Sequence, residues 1–292
     1  MPRDSAACCC PERIGESVTN KQLRSRVWVI AHRGASHDAP EHTVAAYDLA
    51  VLRDRVDFLE CDLQVTSDGA LICMHDAKVD RTSDGAGEVA GMTLDEIRTL
   101  DIGRWFNQAR PDRADAGYEG QRVVTFEEQI ARYRPLDPEL RFHVETKTGA
   151  GEGAVEAALV EILDRQGLLD PDPSSCRAVV QSFHPESLAI VNQMTSDGVP
   201  TALLTPGPGP DRLPPGVDIA APDHRALLAN PSYITQMHEQ GAEVHTWTVD
   251  DLEDMATLIE AGVDGIFTNR PDVLRRLLSE EFGHLASPRG AS

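Results

Sequence analysis

The sequence predicts an α/β fold: a (β/α)₈ TIM barrel with a small insertion after the third strand. Three observations carry this. From Val27 onward, short apolar runs alternate with helical patterns of ten or more residues, which implies βα units and a parallel sheet. The runs are apolar throughout, as in strands covered on both faces. The 292 residues also leave room for a barrel of roughly 250 residues plus a tail and an insertion.

The strand candidates are Val27–Ala31, Phe58–Val65, Ala70–His75, Arg141–Thr146, Ala178–Phe183, Thr201–Leu204, Val244–Val249 and Gly265–Thr268. The helix candidates are Thr43–Arg53, Thr125–Arg134, Gly153–Arg165, Pro185–Met194, Pro231–Gln240, Asp251–Ala261 and Pro271–Glu281. Two features disturb the pattern. Only Thr66–Gly69 joins the second and third runs, too short for a crossover helix. A further apolar run, Asp218–Ala221, follows the Gly/Pro-rich stretch Pro206–Gly216. A doubly wound open sheet therefore stays open as an alternative, although no GxGxxG follows the first strand. Residues 1–25 are polar and aperiodic and read as a disordered tail. The barrel domain spans 26–281, with an insertion at about 77–122 carrying one short helix near Leu94–Leu100. Residues 282–292 form a C-terminal tail.

A hydrophobic content of 41% supports a sizeable core, and the net charge of −21 opposes binding to nucleic acid or anionic membranes. No run approaches the roughly 20 apolar residues of a membrane span. The N-terminus has no apolar signal-peptide region. Cys61, Cys73 and Cys176 lie in apolar runs and read as buried small hydrophobes, while Cys8, Cys9 and Cys10 cluster in the tail. These features point to a reducing, cytoplasmic compartment. They imply no nucleic-acid partner and no stable membrane association, and they are silent on oligomeric state.

The chemistry gathers where the strands end. His32 and Arg33 close the first run, His75 and Asp76 the third, and Glu145 and Lys147 the fourth. Glu60 and Asp62 are two apart on a strand, so both point to one face. With Glu145 they form a hard oxygen site suited to Ca²⁺ or Mg²⁺. The competing reading makes Glu60 and Asp62 solvated residues on a half-exposed strand. Phosphodiester cleavage needs one group to accept a proton from the nucleophile and another to protonate the leaving alkoxide, and His32 and His75 suit both roles. Arg33 and Lys147 supply charge for phosphate oxygens, or pair with the carboxylates. His143 and His245 read as core residues. His37, His42, His224, His238 and His284 read as loop or helix-face residues, and His184 is a weak candidate for the site.

The ordered set HRG, PEHT, LECDLQVTSDGALICMHD, DRTSDGAG, VETK, HTWTVDD and GVDGIFTNRPDVL resembles the glycerophosphodiester phosphodiesterase family from about Val27 to Leu277. The resemblance implies a TIM barrel, a divalent cation on Glu60, Asp62 and Glu145, and His32 and His75 as the acid/base pair. It also implies Arg33 and Lys147 at the phosphate, Glu41 close to the first histidine, and Trp247 beside the alcohol part of the substrate. The products would be glycerol 3-phosphate and an alcohol. A phospholipase D-type activity on lysophospholipids or sphingomyelin, and a non-catalytic phosphate-binding barrel, are the alternatives. Three positions depart from the family pattern. His42 replaces the asparagine of PENT, His184 an aspartate, and Asn269 the aspartate of the closing segment. None is expected to touch the metal or acid/base residues.

Overall fold

The computed structural model describes residues 26–147, 153–169, 177–196 and 198–286. Among these residues the strands are β1 (Trp28–Ala31), β2 (Phe58–Val65), β3 (Leu71–Cys73), β4 (Arg141–Thr146), β5 (Ala178–Ser182), β6 (Thr201–Thr205), β7 (Ile219–Pro222), β8 (Glu243–Thr246) and β9 (Gly265–Thr268). Eight of them run parallel in the order β1-β2-β4-β5-β6-β7-β8-β9, and β9 pairs back onto β1. The sheet is thus a closed barrel and the open-sheet alternative falls.

The strand roster needs one correction. Leu71–Cys73 is not a wall strand: it folds back antiparallel on β2 as a hairpin arm, which is why four residues suffice to reach it. The run at Asp218–Ala221 takes the vacant place, as β7 between β6 and β8.

Strand alternation divides the side chains into two layers. Leu59, Cys61, Leu63, Phe142, Val144 and Val180 face outward and pack under the helices. Ile30, Phe58, Val179, Ala202, Leu204 and Phe267 fill the barrel interior. His143 and His245 join that interior as core residues. Their rings are 5.5 Å apart, and the His143 ring lies 4.8 Å from Phe267. Gly265 is required there, since a Cβ would sit 2.7 Å from the His245 ring.

The outer helices are α1 (Val44–Asp48, continuing as a π-helix over Leu49–Arg53), α4 (Phe126–Tyr133), α5 (Ala154–Arg165), α6 (Pro185–Thr195), α7 (His224–Ala229), α8 (Ser232–Glu239), α9 (Leu252–Ala261) and α10 (Pro271–Glu280). Thr125 opens α4 with a reciprocal capping box to Glu128. The insertion carries α2 (Leu94–Ile97), near the expected position, and a second helix, α3 (Arg104–Ala109), that periodicity did not reveal. The insertion closes a small core of its own from Ile72, Met74, Val79, Val89, Ile97 and Ile102. Helix α7, at six residues, was also too short to read from periodicity. After α10 the chain stays on the barrel: Leu285 is buried and its carbonyl accepts from the Val27 N–H at 3.0 Å. No described helix is long and apolar enough to cross a membrane. The cysteine cluster Cys8–Cys10, Cys176 and the N-terminal tail lie outside the described residues.

Candidate active site

The expected residues converge at the C-terminal mouth of the barrel, the end where the βα loops of this architecture meet. Register explains the carboxylates. Asp62 on β2 pairs with Glu145 on β4, and Glu145 pairs with Gln181 on β5. The three stand level on adjacent strands, with Glu60 one inward-facing step below Asp62. One oxygen each from Glu60, Asp62 and Glu145 lies within 4.8 Å of the others. All three residues are buried. The reading of Glu60 and Asp62 as solvated is therefore wrong.

Burial and the neighbouring Asp62 charge hold Glu60 well above the usual carboxylate range, and the same two causes push Glu145 up to about 8. Such a cluster favours a bound cation, because the cation offsets the mutual repulsion. Gln181 donates to Glu60 Oε1 at 3.1 Å, and its own buried Oε1 has no hydrogen-bond partner among the described residues. An all-oxygen set with a spare carbonyl oxygen beside it fits a divalent cation.

The basic residues pair with the carboxylates, as one of their two expected readings has it. Lys147 Nζ bridges Asp62 Oδ1 at 2.8 Å and Glu145 Oε1 at 2.9 Å. Arg33 Nε is paired with Asp62 Oδ2 at 3.0 Å, while its backbone N–H donates to Glu60 Oε2 at 2.8 Å. That N–H is aimed by a left-handed backbone at Arg33, φ 60°. Gly34 follows at φ 87°, where a Cβ would come within 2.8 Å of the Ala46 backbone. The turn after β1 thus packs directly against α1. Glu41 accepts from Arg33 Nη1 at 3.0 Å.

Each histidine has its ring fixed from behind. His32 Nδ1 lies 2.7 Å from Asn269 Oδ1, and Asn269 Nδ2 donates to Asp250 Oδ2 at 2.6 Å. Asp250 accepts only, so the amide nitrogen must face it and the amide oxygen must face His32. His32 is therefore protonated at Nδ1 and carries its lone pair on Nε2. Burial, aided by Arg33, pushes His32 down to about 4. His75 Nδ1 lies 2.6 Å from Asp76 Oδ1, and burial lowers its affinity for a proton.

His32, Arg33, Glu60, His75, Glu145, Lys147, Gln181, Phe183, Leu204, Trp247 and Phe267 line one pocket. The lining combines ionic groups with the apolar side chains Phe183, Leu204, Trp247 and Phe267. Phe183 and Trp247 meet edge-to-face at 5.4 Å, and the Trp247 indole N–H donates to the Ala221 carbonyl at 2.8 Å.

Two of the three departures from the family pattern do touch the machinery, contrary to expectation. His42 is buried, not a loop-surface residue, and its Nε2 lies 2.8 Å from Asp62 Oδ2 while its Nδ1 lies 2.8 Å from the Tyr47 hydroxyl. Asn269 backs His32. His184 does not line the pocket; its neighbour Phe183 does, as strand alternation from Gln181 would have indicated. Arg81 and Asp250 also went unassigned: DRTSDGAG and HTWTVDD contain them, but the partners that give them a role lie far away in the sequence.

The chain matches the family model described as "Glycerophosphoryl diester phosphodiesterase family" over residues 32–273. It is 36% identical over 260 residues to a glycerophosphodiester phosphodiesterase of Bacillus subtilis (strain 168), covering 86% of each chain. It is 31% identical over 263 residues to one of Caldanaerobacter subterraneus subsp. tengcongensis, covering 86% of this chain and 97% of that one. A solved Silicibacter pomeroyi DSS-3 structure, of a candidate glycerophosphoryl diester phosphodiesterase, superposes with a TM-score of 0.76 at 26% identity, covering 90% of this chain and 95% of that one. The chain belongs to the glycerophosphoryl diester phosphodiesterase family.

Proposed function

We propose that this phosphodiesterase hydrolyses glycerophosphodiesters to glycerol 3-phosphate and an alcohol with His32 as base and His75 as acid. The observation that carries the assignment is the different backing of the two rings. His32, held by an amide and pushed down to about 4, is neutral at physiological pH with a lone pair on Nε2. It takes the proton of the attacking hydroxyl, from water or from the glycerol 2-position. His75, whose proton affinity burial lowers, is backed by the Asp76 carboxylate, which opposes that shift and favours the imidazolium as His75 delivers a proton to the leaving alkoxide.

Glu60, Asp62 and Glu145 would hold the cation, Mg²⁺ or Ca²⁺, with Gln181 beside them. That ion supplies Lewis-acid stabilisation of charge developing on the phosphoryl oxygens. Arg33 and Lys147 lie next to the carboxylates and add fixed positive charge for the phosphate. Phe183 and Trp247 shield the alcohol side from water. The buried free thiols Cys61 and Cys73 support a cytoplasmic setting.

The test is turnover of a panel of glycerophosphodiesters after chelation, with Mg²⁺ or Ca²⁺ restored. Activity should vanish on chelation and return with at least one of the ions. His32→Ala and His75→Ala should each lower kcat by ~10²–10⁴. Near-normal turnover in both variants would remove the assignment. Preference for lysophosphatidylcholine over glycerophosphocholine would replace the substrate reading.

A further inference from the structure

The DRTSDGAG segment opens the insertion, yet none of its residues lines the pocket. Arg81 nevertheless reaches the machinery from behind. Its Nε donates to Asp76 Oδ2 at 2.6 Å and its Nη2 to Asp76 Oδ1 at 3.2 Å. On the other side its Nη1 donates to Glu41 Oε2 at 2.9 Å and its Nη2 to Glu41 Oε1 at 2.8 Å. One guanidinium thus grips two carboxylates. Asp76 Oδ1 in turn receives His75 Nδ1, and Glu41 Oε1 receives Arg33 Nη1.

We propose that Arg81 is a positioning residue for catalysis: anchored on Glu41, it holds Asp76 and so fixes the ring of His75 at the mouth. The proposal rests on the role given to His75 above. Without the clamp, Asp76 loses a bidentate partner and swings free, taking with it the ring that donates a proton. A lysine cannot replace it, because a point charge does not span two carboxylates with planar forks. The segment is built to present this side chain. Val79 is fully buried, its N–H donates to Gly87 O at 3.0 Å, and the Gly87 N–H donates to Asp80 Oδ2 at 2.9 Å. Arg81 itself is 43% exposed, so its ion pairs add little to global stability and its removal leaves the fold intact.

The experiment compares the full-length wild type with Arg81→Gln, Arg81→Lys and His75→Ala, each with Mg²⁺ added. Two substrates are used: glycerophosphocholine, whose leaving alkoxide needs a proton, and bis-p-nitrophenyl phosphate, whose leaving group does not. Arg81→Gln should lower kcat for glycerophosphocholine by on the order of 10–100-fold, the usual effect of losing a partner behind a ligand. It should lower turnover of the activated diester much less, with Tm essentially unchanged. Arg81→Lys should recover only a small part of the loss. Adding Asp76→Asn to Arg81→Gln should cost little more, because both act through one ring. Equal losses on the two substrates, or turnover within twofold of wild type on both, would overturn the positioning role. His75→Ala separates this from failure of the underlying reading. If it too fails to discriminate between the leaving groups, His75 is not the acid and the proposal falls with it. If it discriminates and Arg81→Gln does not, only Arg81 has been misread.

Discussion

His32 Nδ1 lies 2.7 Å from Asn269 Oδ1, and the amide behind that oxygen is held by the Asp250 carboxylate. The charge therefore stands one residue away from the imidazole instead of against it. Exchanging the pair, Asp250→Asn with Asn269→Asp, keeps the hydrogen-bond chain and moves the carboxylate onto His32. A carboxylate at that distance favours the imidazolium and raises the histidine by roughly 1–3 units. His32 starts from about 4, so the acid limb of kcat/KM should move up by that amount. A pH–rate profile between pH 4 and 9 measures it, and a limb that stays in place would show that His32 is not the base.

Two of the proposed metal ligands should respond in opposite ways when replaced in metal-free protein. Asp62 meets Arg33, His42 and Lys147, so Asp62→Asn removes the charge these groups share, although Arg33 keeps Glu41 and Lys147 keeps Glu145. A loss of ~1–3 kcal/mol is expected, as for other weakened buried polar contacts. Glu60 is instead held well above its usual range by burial and by Asp62. Glu60→Gln removes that repulsion; with the Gln181 amide turned over, the new NH₂ donates to Gln181 Oε1 while the remaining oxygen still accepts from the Arg33 N–H. Tm should fall in the first variant and hold or rise in the second, with activity lost in both. A parallel fall in both would mean that Glu60 is not under electrostatic load.

The acidic cluster and both histidines were legible because each closes or lines an apolar strand, and a period of two places Glu60 and Asp62 on one face. The parallel register that brings Glu145 and Gln181 level with Asp62 is a property of the closed sheet and has no local signal. For the same reason Asp218–Ala221 looked surplus and Ala70–His75 looked like wall. The run lengths matched barrel strands in both cases, and only pairing separates a hairpin arm from a barrel strand. Contacts made over long sequence separations were also invisible. Asn269 reaches His32 across 237 positions, and Arg81 reaches Glu41 across 40. His42 was misjudged because PEHT reads as a turn, yet its left-handed backbone, φ 59°, turns the ring inward onto Asp62.

The aromatic wall should control the substrate's alcohol side more than the chemistry. Phe183 is 37% exposed and meets Trp247 edge-to-face, while Trp247 is pinned by its N–H to the Ala221 carbonyl. Phe183→Ala should raise KM several-fold with kcat nearly intact, because it removes apolar contact made equally in ground and transition states. Trp247→Phe, which loses the anchor, should raise KM for glycerophosphocholine more than for glycerophosphoethanolamine if the indole faces the bulkier head group. Equal KM values across head groups in both variants would place the alcohol elsewhere.

Acid should destabilise the fold through the barrel interior. His143 is packed among Phe58, His245 and Phe267, and burial, then the neighbouring His245, holds its proton affinity well below normal. An unfolded histidine titrates near 6.5. Below that pH the unfolded chain binds a proton that folded His143 refuses, so stability falls as pH drops, by up to ~1.4 kcal/mol per pH unit per histidine. The loss continues until the depressed folded value is reached. His42 and His32 act with the same sign, His32 between 6.5 and about 4. Glu60 and Glu145, whose folded values are raised, act oppositely. A single pH curve would mix these effects, and a slope difference isolates one. His143→Phe suits an aromatic cavity and removes one refused proton. It leaves His245 Nδ1 without its contact at 3.3 Å, an offset that does not cancel the change in slope. Urea midpoints at pH 7.5, 6 and 5 should therefore fall less steeply in His143→Phe than in wild type. Parallel lines would mean that His143 already takes up its proton inside the folded barrel.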